Sequence, residues 1–303
     1  MKKRLFSLAL ASVMALSLAG CGGSKEAATE AETKAETEQT AADTSAKAED
    51  TTAQEETKAE SEAASEAVSE SAGGTLIVGF DQDFPPMGFV GDDGEYTGFD
   101  LELAQEVCKR QGWKYVAKPI AWDSKDAELK SGGIDCIWNG FTMDGREDKY
   151  TWSKPYLNNE QVFVVRKDSG IKSEKDLEGK VVDVQTDSSA QAALKEKADL
   201  SSTFGNLEVV ADYNTGLMNL ESGSADAVAM DTVVAAYQIE KRKADFTILD
   251  YEIAAEEYGV GFAKGNKAVR DQVESTLEEM AKDGTMAKIS QKWFKKDITI
   301  IGK

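Results

Sequence analysis

The chain has 303 residues, 30% of them charged, with 55 acidic against 35 basic side chains, three cysteines and no histidine. A net charge of −20 argues against binding of nucleic acid or anionic lipid by the folded part, since those need basic patches. The lack of histidine and the few cysteines exclude a Cys/His zinc site, and no cofactor is expected.

In chain order, Lys2, Lys3 and Arg4 precede an apolar run from Leu5 to Leu18. The run has the length of a signal-peptide core and is short of the ~20 residues of a spanning helix. It ends in Leu18-Ala19-Gly20-Cys21, which resembles the bacterial lipobox. That resemblance implies removal of residues 1–20 and attachment of lipid, palmitate among the acyl groups, to Cys21. No other apolar stretch approaches spanning length, so contact with the membrane is expected through the lipid anchor only. Residues 21–74 follow as an acidic tether. From Gly22 to Gly74 there are 14 acids, four bases, no aromatic residue and one large aliphatic, Val68. Such a segment buries too little apolar surface to offset its chain entropy and is expected to be disordered. It carries half of the net charge.

Residues 75–303 are long enough for two modest lobes. Thr75–Phe80 reads as a strand. Asp100 reads as the N-cap of a helix with Leu101, Ala104, Val107 and Cys108 on one face. A strand at Trp113–Ala117, a short helix at Ala127–Lys130 and a strand at Ile134–Trp138 follow. The rhythm returns with strand Val181–Val184, helix Ala190–Lys197, strand Leu207–Val210, helix Gly216–Glu221 and strand Ala225–Met230. Two helical stretches close the chain, one with Val269, Val273, Leu277 and Met280, the other with Met286, Ile289, Trp293 and Phe294. Alternation of this kind predicts an α/β fold with largely parallel sheets. Cys108 and Cys136 each fall at an apolar position and are either buried free thiols or one bridge.

An internal repeat divides the folded part. Leu129-Lys-Ser131-Gly132-Gly-Ile-Asp135-Cys-Ile137 matches Leu220-Glu-Ser222-Gly223-Ser-Ala-Asp226-Ala-Val228, with four identities at equal spacing. Two similar α/β lobes would place Asn139-Gly140 and Met230-Asp231 equivalently, just beyond strand ends, where open α/β sheets bind ligands.

Motifs then identify a family. Gly79-Phe80-Asp81-Gln82-Asp83-Phe84-Pro85-Pro86-Met87-Gly88-Phe89 follows the first strand, and Gly98-Phe99-Asp100-Leu101-Glu102-Leu103-Ala104 opens the first helix. Gly140-Phe141-Thr142-Met143-Asp144-Gly145-Arg146, Trp152-Ser153-Lys154-Pro155-Tyr156, Val184-Gln185-Thr186-Asp187-Ser188-Ser189 and Asp226-Ala227-Val228-Ala229-Met230-Asp231 come next. Asp283-Gly284-Thr285 precedes Trp293-Phe294. In order and spacing the set resembles the extracytoplasmic solute-binding proteins of polar amino-acid ABC transporters, over essentially all of residues 75–303. The resemblance implies a two-lobed Venus-flytrap of the type II periplasmic-binding-protein class. Lobe 1 would span 75–165 plus 261–303 and lobe 2 166–260, with hinge crossovers near Val164–Lys167 and Gly259–Lys264. It also implies a monomer, held extracytoplasmically at the outer face of the cell membrane, that passes a free amino acid to a permease.

A buried zwitterion needs both charges matched. Arg146 is expected to clamp the ligand carboxylate in bidentate fashion, with Thr142 adding a hydroxyl. Thr142-Met-Asp-Gly-Arg146 is one residue shorter than the family's usual spacing, and Arg146 could instead pair with Glu147 or Asp148. Asp231 is expected to meet the ammonium, or to cap the helix from Thr232. Ser188 and Ser189 precede a helix and suit a carboxylate or simple capping. Asp187 stands where the family has glycine and is expected to face solvent. Phe84 matches an aromatic lid or is core. Asp81 matches the position that meets the ligand's side chain, where a carboxylate favours a basic or amide end; cystine and acidic amino acids remain open. Trp138, Asn139, Gly140 and Gln185 flank the cleft, with Trp138 equally placed as core. Two other classes share the scaffold: a dehydratase-like cleft enzyme using Asp81 or Asp83, and a ligand sensor serving a separate signalling receptor.

Overall fold

The computed structural model describes residues 74–303. The expected signal peptide, Cys21 and the acidic tether up to residue 73 lie outside the described residues. Thr75–Phe80 forms β1, its apolar side chains alternating into a two-sided core. The chain then makes a small antiparallel sheet, β2 (Asp83–Phe84), β3 (Gly88–Val90) and β4 (Tyr96–Thr97). Helix α1 (Phe99–Gln111) buries Leu101, Ala104, Val107 and Cys108 on the expected face. Its N-cap is Gly98, not Asp100. At φ +141° a side chain on Gly98 would place its Cβ 2.3 Å from the Met87 carbonyl oxygen. Asp100 sits inside the first turn and points into the core, for reasons given below.

Strand β5 (Lys114–Pro119), helix α2 (Lys125–Lys130), strand β6 (Cys136–Ile137) and strand β7 (Thr151–Trp152) complete the first pass through lobe 1. The chain enters lobe 2 along β8 (Leu157–Arg166) and continues through β9 (Val181–Gln185), α3 (Ser189–Glu196), α4 (Ala198–Ser201) and β10 (Asn206–Val210). Helix α5 (Tyr213–Ser222), β11 (Ala227–Asp231), α6 (Thr232–Arg242) and the long β12 (Phe246–Tyr258) follow. Strand β13 (Gly261–Phe262) returns to lobe 1, and α7 (Lys267–Lys282) and α8 (Thr285–Phe294) pack against α1. On α7, Val269, Val273, Leu277 and Met280 recur at helical spacing and are buried. Each such side chain contributes about 1.5–3 kcal/mol by leaving water.

Lobe 1 holds the sheet β5-β1-β6-β13-β7 and lobe 2 the sheet β10-β9-β11-β8-β12. In each, four strands run one way and one runs against them, β13 in lobe 1 and β8 in lobe 2. The sheets are therefore mixed with a parallel majority, because the one strand that brings the chain in from the other lobe runs against the rest. The repeat has a physical basis here. Asp135 accepts the N–H of Ile77 on β1 at 2.7 Å, and its counterpart Asp226 accepts the N–H of Val181 on β9 at 3.0 Å. Each repeat aspartate thus pins its strand to the neighbour in the same register.

Of the expected crossover at Val164–Lys167, all but Lys167 falls inside β8, whose residues pair with β11 and β12. The passage lies earlier, at Ser153–Tyr156, because the apolar run Val162–Val165 is central to the second sheet. The return is at Gly259–Val260. The two crossovers run side by side: Ser153 N–H donates to the Val260 carbonyl at 3.0 Å, and Tyr156 N–H to that of Tyr258 at 2.9 Å. Cys108 and Cys136 are free and buried. Trp138 is fully buried in the core of lobe 1.

Candidate functional site: the interlobe cleft

The parallel strands deliver their C-terminal ends to one cleft, β1 and β6 from lobe 1, β9 and β11 from lobe 2. Asp81 follows β1, Asn139 and Gly140 follow β6, Gln185 ends β9 and Asp231 ends β11. Across the cleft, Gln185 Nε2 donates to Asp81 Oδ2 at 2.7 Å. Asn139 Oδ1 accepts the Asp81 N–H at 3.0 Å, while its buried Nδ2 has no partner. Burial pushes the Asp81 carboxyl up to about 6, opposed by the hydrogen bonds it accepts.

Gly140 adopts φ +55°, and a Cβ there would sit 2.9 Å from the Phe84 ring. That close approach holds Phe84 against Tyr213 of lobe 2, ring centres 5.7 Å apart. The Gly140 N–H donates to buried Asp100 Oδ2 at 2.5 Å, and the Tyr156 hydroxyl donates to the same oxygen at 2.8 Å. Asp100 therefore fastens the loop at Gly140 to the first crossover. Burial raises its carboxyl to about 7.

Arg146 stands at the lobe 1 rim. Its Nη1 donates to the Thr142 carbonyl at 3.2 Å and its Nη2 to the Asp187 carbonyl of lobe 2 at 3.3 Å, with the guanidinium 5.2 Å from the centre of the Phe141 ring. Among the described residues it is paired with neither Glu147 nor Asp148. Asp187 is exposed, as expected, yet its carboxylate reaches across the cleft to Lys125, whose side chain is only 2% exposed. Burial lowers the Lys125 ammonium, opposed by Asp187. Asp187 adopts φ +52°, a left-handed conformation that glycine takes more easily. Ser188 caps α3, its Oγ accepting the Gln191 N–H at 3.1 Å, and Ser189 Oγ accepts from Gln161 Nε2 at 3.0 Å.

Asp231 lies deeper. Its side chain does not cap α6. Oδ2 accepts the Tyr213 hydroxyl at 2.9 Å, and Oδ1 accepts Asn159 Nδ2 at 3.0 Å and the Tyr258 hydroxyl. Burial raises its carboxyl. Sequence reasoning missed Lys125, Asn159, Gln161, Tyr213, Glu256 and Tyr258. Only Tyr258 carried a signal, as the residue just before the second crossover.

A cavity of about 480 Å³ opens between the lobes, walled by Asp81, Asp83, Trp122 and Asp123 on one side and Thr186 and Asp212 on the other. Its carboxylates favour a cationic or dipolar occupant. Arg146, Thr142 and Asp231 lie outside its walls. The arrangement offers a cation and a helix N-terminus at one rim, a hydroxyl-bound carboxylate at depth and an acidic chamber beside Asp81. Such a set matches the opposed charges of a free amino acid.

The model of the bacterial extracellular solute-binding proteins, family 3, matches residues 76–296. The chain is 34% identical over 229 residues to the L-cystine-binding protein TcyJ of Escherichia coli (strain K12), covering 75% of this chain and 85% of that one. It is 33% identical to the L-cystine-binding protein TcyA of Bacillus subtilis (strain 168), covering 75% and 83%. A crystal structure of an ABC uptake transporter substrate-binding protein from Streptococcus pneumoniae with bound histidine superposes with a TM-score of 0.72 at 35% identity, covering 74% of this chain and 94% of that one. Two mixed sheets, paired crossovers and a charged cleft agree with that match across the folded part, and the chain belongs to the bacterial extracellular solute-binding proteins, family 3.

Proposed function

We propose that this protein captures a polar amino acid between its lobes and delivers it to the permease of an ABC importer. The observation that carries the reading is the convergence of Asp81, Gly140, Gln185 and Asp231 from the ends of equivalent strands onto one cleft, with Arg146 at its rim. The ligand ammonium meets Asp231, and its carboxylate meets Arg146, Thr142 and the α3 N-terminus at Ser188 and Ser189. Phe84 and Tyr213 cover the ligand, and Asp81 and Asn139 face its side chain. A side chain ending in a cation or an amide suits the acidic chamber. Cystine suits it as well, since its second ammonium supplies the same charge, and the two relatives named for L-cystine make it the first compound to test. The protein binds and releases its ligand without altering it.

The lobes close about Ser153–Tyr156 and Gly259–Val260, with ligand bridging the two sides and favouring the closed form by its differential contacts. Lobe 1 then comprises residues up to the first crossover plus those after the second. A lipid on Cys21 holds the monomer to the outer face of the cell membrane; labelling with radioactive palmitate, lost in Cys21→Ala, tests this. Calorimetry of the purified protein, stripped of ligand by unfolding and refolding, against the common amino acids, ornithine and cystine tests the function. One-to-one binding of one or a few without turnover supports it. Binding of none, or formation of a product, overturns it.

A further inference from the structure

Behind Asp231 lies a second buried carboxyl that no motif singled out. Glu256, on β12, is 5% exposed and faces Asp231 through Asn159, whose Nδ2 donates to Glu256 Oε1 at 2.7 Å and to Asp231 Oδ1 at 3.0 Å. Gln161 Nε2 also donates to Glu256 Oε1, at 2.8 Å, and links it to Ser189 on α3. Gln161 is fully buried, yet its Oε1 has no donor. The titratable groups facing Glu256 are Asp231 of β11, Tyr213 of α5 and Tyr258 of β12. From α3 it receives only the Ser189 hydroxyl through Gln161, and from α6 the Val233 N–H reaches Asn159 at 3.3 Å. Among the described residues no lysine or arginine pairs with either carboxyl. Two carboxylates this close and this dry do not both ionise.

We propose that Glu256 is the second carboxyl of the ammonium site, bracing Asp231 from within lobe 2 and releasing a proton to solvent when the ligand's ammonium arrives. The proposal rests on the assignment of Asp231 to the ammonium. Before binding, the pair shares one proton, carried on Glu256 and donated toward Asp231. Burial, with Asp231's charge next, pushes Glu256 up to about 8. The arriving ammonium adds a positive charge beside the pair, the Glu256 O–H bond ionises, and the proton goes to buffer. Two carboxylates then face one ammonium. Glu256 is a positioning residue, and its side of the exchange distinguishes it from a merely structural acid.

Calorimetry in buffers of different ionisation enthalpy at pH 7–8, where Asp81 is already ionised, measures the protons exchanged. The probes are L-arginine, L-histidine, L-glutamine and L-cystine, of which the tightest binder is followed. Wild type is expected to release a proton fraction that falls as pH rises through about 8, with Kd tightening over the same range. Glu256→Gln, which preserves the side chain's shape and an acceptor for Asn159 and Gln161, is expected to release none, with Kd independent of pH. Equal release by wild type and Glu256→Gln, or none by wild type, overturns the proposal. An infrared measurement serves where the variant does not fold. Wild type at pH 7 should show a protonated-carboxyl band that loses intensity on adding the ligand, beside the part that Asp100, raised to about 7, keeps in both states; no loss of intensity on saturation overturns the proposal. Asp231→Asn separates the two readings: wild-type affinity in that variant defeats the ammonium assignment itself, whatever Glu256 does.

Discussion

The ion pair between Lys125 and Asp187 crosses the cleft, so its removal should change how readily the lobes close. Lys125 is enclosed by the Trp122 ring, 4.9 Å from its Nζ, the Trp122 carbonyl at 3.2 Å and the Asp187 carboxylate. Opening the lobes separates the charges but returns both to water. Closing them in Asp187→Gly buries an ammonium that has lost its partner. An exposed pair contributes about 0.2–1 kcal/mol, and breaking a buried one costs about 3–5 kcal/mol. Here Lys125 is 2% exposed but Asp187 is 57% exposed, so screening places the effect at about 1–2 kcal/mol. That shifts the open–closed balance, and with it ligand affinity, by about 5- to 30-fold. Relief of the left-handed backbone at residue 187 acts alike on both forms and cancels. Asp187→Gly should therefore bind the ligand about 5- to 30-fold more weakly and show a larger radius of gyration by small-angle X-ray scattering before ligand is added. Adding Lys125→Met removes the stranded charge, and the double variant should recover affinity to within about threefold of wild type. Unchanged affinity and scattering in Asp187→Gly would refute the reasoning. Tighter binding would instead mean that Asp187 chiefly repels the ligand carboxylate beside Arg146.

Arg146→Ala and Asp231→Ala should each nearly abolish binding of every ligand by calorimetry, since each strands one charge of the zwitterion. Asp81→Asn should change which ligand is preferred; equal loss for all ligands would remove its selectivity role. Burial raises Asp81 to about 6, so its contribution to stability is fully present below about pH 4 and is lost as pH rises through about 6. The Tm of Asp81→Asn should accordingly gain on wild type between pH 4 and 7, which scanning calorimetry reads directly. Burial also pushes the Cys108 thiol up to about 12 and raises Cys136. Neither should react with a thiol reagent until the protein unfolds, and two should then titrate among the described residues.

Periodicity was enough to find β1, β9 and β11, the core faces of α1 and α7, and the repeat whose aspartates pin the two sheets, because each is written within a few adjacent residues. The motif positions Asp81, Gly140, Gln185 and Asp231 were also legible as lying at or just past the C-terminal ends of strands. Tertiary structure decided the partners. Lys125 resembles an exposed helix residue until Asp187 arrives from the other lobe. Glu256 resembles the surface acid of a polar segment until β12 pairs with β8 and sets it beside Asn159. Asp100 resembles a cap until Gly140 and Tyr156 are seen to donate to it. A one-dimensional pattern states which side chains are apolar and where strands stop. It does not state which distant segment covers a polar side chain, and here that covering converts ordinary lysines and acids into a latch and a buried carboxyl pair.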